Sequence, residues 1–123
     1  MQAISLAQRG YSPNSGAIHT PRSIEFQVIA RITHRLKNAV KAGDKRTLIE
    51  AMHENRMLWN ALATDVASSG NELPDELRAR IFYLAEFTAI HTQRVLKDEA
   101  DAVPLLEINA AILGGLQSEG QQK

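Results

Sequence analysis

Apolar residues recur along this chain in steps of three and four, most clearly at Leu48, Met52, Leu62 and Val66, with Asn55 and Trp59 in the same series. Residues spaced in that way share one face of an α-helix, because each position advances about 100° around the axis. Leu77, Ile81, Leu84, Thr88, His91 and Val95 repeat the spacing, and Leu105, Asn109, Ile112 and Leu116 do so again. An earlier stretch sets Val28, Ile29, Ile32, Leu36, Ala39 and Val40 on one side and Arg31, His34, Lys37 and Lys41 on the other. No strand-like alternation of useful length and no fixed-period repeat is visible.

Helix boundaries follow from residues that cap or break. Thr20-Pro21 opens the first helix, since threonine caps free NH groups and proline lacks the NH that a first turn leaves unpaired; Gly43 closes it. Asp44 caps a second helix reaching about Ser68, which Gly70-Asn71 stops with residues that tolerate left-handed backbone. Leu73-Pro74-Asp75-Glu76 opens a third, with two carboxylates at the positive end of the helix dipole, and this helix runs to about Asp98. Asp101 and Pro104 begin a shorter fourth, ending at Gly114-Gly115. The expected architecture is all-α: a single-domain antiparallel helical bundle of three long helices plus a shorter C-terminal helix over residues 20–116. Residues 1–19, with Gly10, Pro13, Asn14 and Gly16, read as a flexible N-terminal arm, and residues 117–123 as a polar C-terminal tail.

Three polar side chains stand where seams call for apolar ones: Asn55, His91 and Asn109. A buried amide or imidazole without a partner costs about 1–3 kcal/mol, so these residues are expected to form a structural polar cluster with one another or with nearby backbone. Such a cluster fixes helix register, as a buried asparagine does in coiled coils, or it offers one group to a partner's backbone.

The 123-residue length accommodates one core, and Lys plus Arg balance Asp plus Glu at 14 each, so no net field draws a polyanion from a distance. The absence of cysteine removes disulfides, thiolate nucleophiles and cysteine-based metal sites together. The opening residues are too short in their apolar part for a secretory signal, and no run approaches the ~18 apolar residues of a membrane span. A soluble, cytoplasmic protein is expected, with no membrane contact.

Catalytic chemistry finds no purchase. His53-Glu54 begins like a zinc-protease signature, but Met57 stands four residues beyond His53, where the second histidine would be needed. His19, His34, His53 and His91 are far apart, Ser68-Ser69 has no evident base, and the isolated glycines build no phosphate loop. No catalytic, metal or cofactor site and no small-molecule substrate is expected. Arg31, Arg35, Lys37, Lys41, Lys45 and Arg46 concentrate positive charge around the first helix, which is a solvated face or a contact for RNA phosphates; no aromatic residues interleave them for base stacking. In the third helix Tyr83, Phe87 and Ile90 form a second apolar strip, which is either extra core or a surface for an amphipathic partner helix. Met57 and Phe82 are further candidate anchors for a partner.

Taken together, Asn55-Arg-Met-Leu-Trp59, Gly70-Asn-Glu-Leu-Pro74, His91 with Val95-Leu96, Leu105-Leu106-Glu-Ile-Asn109 and Gly114-Gly-Leu116 resemble the FlaF family of flagellar biosynthesis regulators, over roughly residues 20–116. The resemblance implies a cytoplasmic protein that supports flagellin production and export, as a flagellin-binding secretion chaperone working alongside the regulator FlbT. An alternative under the same resemblance is a post-transcriptional regulator acting on flagellin mRNA, through Arg31, Arg35, Lys37 and Lys41, or through FlbT.

Overall fold

The computed structural model describes residues 21–121, with side chains for 26–117. The expected arm, the Thr20 cap and residues 122–123 lie outside the described residues. Four helices follow one another: α1 (Pro21–Ala42), α2 (Lys45–Ala67), α3 (Asp75–Leu96) and α4 (Val103–Gln121), with no strand among the described residues. Short loops turn each helix back along its predecessor, and the packing runs in a ring: α1 on α2, α2 on α3, α3 on α4 and α4 on α1. Of these four seams, α3 against α4 is the sparsest.

Local chemistry sets the ends. Gly43 takes a left-handed φ of 71° after α1, a conformation that costs glycine nothing. The Asp44 carboxylate then caps α2 by accepting from the Thr47 amide at 3.2 Å and from the Thr47 hydroxyl. At its far end α2 stops in extended backbone at Ser68, and Gly70 and Asn71 do not take left-handed φ; instead Asn71 accepts from the Leu73 amide. Arg78 of α3 finishes the job, donating to the Val66 carbonyl at 2.8 and 3.0 Å and to the Ser68 carbonyl at 3.1 Å, which satisfies carbonyls that a helix end leaves open. The second left-handed residue is Asp98, just after α3.

One expectation about the C-terminus needs correction. Gly114-Gly115 do not end α4, which continues to Gln121 and, at 19 residues, is nearly as long as α1, α2 and α3 at 22, 23 and 22. The reason is packing: Leu116 is buried beyond the glycines, and burying a leucine is worth about 1.5–3 kcal/mol, enough to offset roughly 1 kcal/mol for each helical glycine.

The seams read from the sequence are the core. Every apolar residue in them is buried apart from the half-buried Val40, Leu48 and Leu84. The core divides into two clusters, one around Ile29, Trp59, Leu62, Ile81 and Ile112 and the other around Leu36, Met52, Val95 and Leu105. On each helix, buried or half-buried polar residues fall between the two: Thr33, Asn55, Thr88 with His91 and Thr92, and Asn109.

Candidate functional site

The polar layer is built around Asn109 of α4. Its Oδ1 accepts from the Trp59 indole at 2.8 Å, and its Nδ2 donates to Asn55 Oδ1 and to Thr33 Oγ1, each at 2.9 Å. The indole NH can only donate, which fixes the amide orientation. Thr33 passes the chain on, donating to the Ile29 carbonyl. Two of the three expected cluster members therefore meet, joined by Thr33 and Trp59, and the network ties α1, α2 and α4. His91 does not join it. Its Nε2 donates to the Asp101 carbonyl at 2.8 Å and so pins the loop between α3 and α4. Thr33 escaped the sequence reading because it flanks the α1 stripe without belonging to it, although its spacing of four from Ile29 was a signal.

On α3, Tyr83, Phe87 and Ile90 stand in one row, 65%, 40% and 65% exposed. The strip is surface, not additional core. Phe87 is also held in place, with its ring stacked on His91 at 5.7 Å and 8° between planes, so the histidine that pins the loop also orients the middle of the strip. The strip lies about 100° around α3 from its buried seam. Arg78, reaching the end of α2, sits on the opposite side of that seam, so the strip faces the α4 side, where Leu77 approaches Gly115. Along α4 the same rotation brings half-buried Ile108 and Gly115 and exposed Ala111 toward it, which the sequence reading did not single out.

Phe82 and Met57 are exposed but stand elsewhere. Phe82 borders a shallow hollow with Val66, Ala67, Arg78 and Ala79 between α2 and α3. Met57 lies about 200° around α2 from buried Asn55, on the outer face. Neither belongs to the strip.

The basic residues near α1 are largely matched. Arg35 pairs with Glu54, Lys45 with Asp98 at 3.0 Å, and Arg46 lies 4.0 Å from Glu50. Lys37 and Lys41 are exposed on α1. His34 bonds Asn38, and among the described residues no three His, Asp or Glu side chains converge as a metal site would require. No described helix is long and apolar enough to cross a membrane.

Against this geometry, a family model described as flagellar protein FlaF matches residues 7–116, most of the chain. The chain belongs to the FlaF family. No curated protein and no solved structure gives a significant match. In this flagellar protein of the FlaF family the described residues form a ring of four helices, and both the exposed strip and the polar layer lie within the matched residues.

Proposed function

We propose that this FlaF protein is a flagellin-binding secretion chaperone, which holds an amphipathic terminal helix of flagellin against α3 before export. The observation that carries the reading is the strip itself: Tyr83, Phe87 and Ile90 sit in helical register on a helix whose buried seam is already filled. Soluble proteins tolerate scattered exposed apolar residues, but a row of three with a pre-oriented ring at its centre suits a helix-in-groove contact. Flagellin termini are amphipathic helices that pack as coiled coils, so shielding them before assembly is a task this surface can perform. The sparse α3–α4 seam, with small Ala111 and Gly115 beside the strip, lets a guest helix approach closely.

Calorimetric titration with the cognate flagellin monomer tests this, using the intact protein and the Phe87→Ser/Ile90→Ser double variant with its helicity checked by circular dichroism. The expected result is binding that requires flagellin's terminal helices and weakens at least tenfold in the folded double variant, as truncating anchors of about 1.4 kcal/mol or more does. Equal affinity for both proteins would remove the strip from the reading. Absence of binding altogether would overturn direct holding and favour the alternative, a regulator acting on flagellin mRNA or through FlbT.

A further inference from the structure

The strip is the centre of a longer seam. Glu76, Arg80, Tyr83, Phe87, Ile90, Arg94 and Lys97 follow steps of four and three along the length of α3, each one residue before a member of the buried seam or, for Lys97, just past its end. All seven are exposed. α3 therefore carries two coiled-coil-like rows side by side, one packed inside the bundle and one open to a further helix.

Charge decides which helix. Arg80 and Arg94 bracket the three apolar residues and have no side-chain hydrogen bond or ion pair among the described residues; by contrast Arg35, Lys45, Arg46 and Arg78 each have an acidic partner. A second copy of α3 fits poorly. Aligned parallel, it sets Arg80 against Arg80 and Arg94 against Arg94; aligned antiparallel with Tyr83 opposite Ile90, it brings Arg80 level with the neighbourhood of Arg94 beside the apolar contact, and only the outermost Glu76 and Lys97 meet an opposite charge. Like charges so placed are repulsive. The chain's own first 20 residues contain no carboxylate to meet either arginine.

We infer that the occupant of this seam is an amphipathic helix of another protein whose apolar face is framed by carboxylates about 14 residues, or roughly 21 Å, apart, one for Arg80 and one for Arg94. The inference rests on the helix-holding reading above and adds its selectivity: Tyr83, Phe87 and Ile90 supply the apolar contact, while Arg80 and Arg94 choose the partner and set its position along α3. Rim charges of this kind act chiefly on recognition and association rate, and are weakened by salt.

Two synthetic helical peptides test it against the full chain, both with leucines at seam positions, one framed by glutamates fourteen residues apart and the other by lysines at the same places. The glutamate-framed peptide should bind at least tenfold tighter at low salt, the difference should shrink as salt rises to about 0.5 M, and Arg80→Glu/Arg94→Glu should reverse the preference. Equal binding of the two peptides, or no response to the charge reversal, overturns the arginine frame even if Phe87→Ser/Ile90→Ser still abolishes flagellin binding. Loss of flagellin binding in neither variant overturns the helix-holding reading as well. Because all four substitutions are at exposed positions, a folded protein is expected in each case.

Discussion

α2 and α3 are neighbours of nearly equal length, yet they are specified in different ways. α2 starts from a side-chain cap at Asp44 and sends Asn55 and Trp59 into the hydrogen-bonded layer. α3 starts at Pro74 with no side-chain cap bond, and its buried Thr88 and Thr92 hydroxyls have no partner among the described residues. The exposed seam is on α3 and not on α2. A helix held by apolar packing more than by directional bonds can tolerate repacking when a guest lies beside it, whereas the network confines α1, α2 and α4 to one register. The contrast is not absolute, since Asn55 Nδ2 itself has no partner among the described residues and α3 is pinned at its end by His91.

The severest test of that contrast is Asn109→Ala. It removes the acceptor for Trp59 and the donor to Asn55 and Thr33, and leaves a cavity at a fully buried position. Unpaired groups and lost volume together should cost about 3–5 kcal/mol, read as a lower urea midpoint. A loss under about 1 kcal/mol would mean that the layer does not carry the ordering assigned to it.

Thr88→Val tests the other side with the opposite sign. The valine keeps the branched shape and removes a hydroxyl that is buried without a partner among the described residues, so stability should rise by about 1 kcal/mol. The same exchange at Thr33, whose hydroxyl both donates and accepts, should destabilise. If Thr88→Val also destabilises, its hydroxyl has a partner and the difference between the helices narrows.

These two helices also show how far the sequence could be read. Steps of three and four located the buried seams because burial selects a face, and the polar interruptions at Asn55 and Asn109 stood out because an amide in such a row demands a partner. Periodicity says nothing about which helices a polar residue reaches, so it groups His91 with the amides although the ring turns to the Asp101 carbonyl. It is equally silent on whether a second row is covered, and Tyr83, Phe87 and Ile90 could be assigned to the surface only once the position of α4 was known. The charges flanking the apolar part of that row are hidden by composition: with 14 charges of each sign, Arg80 and Arg94 look ordinary until Arg35 and Arg78 prove to be paired. Gly114-Gly115 misled for a related reason, since local propensity favours a stop and the burial of Leu116 overrides it.

The smallest effect concerns how α2 begins. The Thr47 hydroxyl, and after it the Thr47 amide, hold the Asp44 carboxyl below its ordinary range by bonding the charged form. A carboxylate whose pKa is lowered on folding stabilises the native state above its unfolded pKa, and that contribution is lost as pH falls through the lowered native value. Asp44→Asn keeps an oxygen that can cap the Thr47 amide but removes the titration. Melting temperatures of the two proteins should therefore differ by a constant amount at neutral pH and converge as pH falls from just above the ordinary carboxyl value of 3.8 through the lowered native one, with a small amplitude because the group is exposed and screened. Parallel profiles across that range would mean that Asp44 caps as a dipole and not as a charge. The asymmetry between α2 and α3 would then lie in hydrogen-bond geometry alone, with no acid-dependent part.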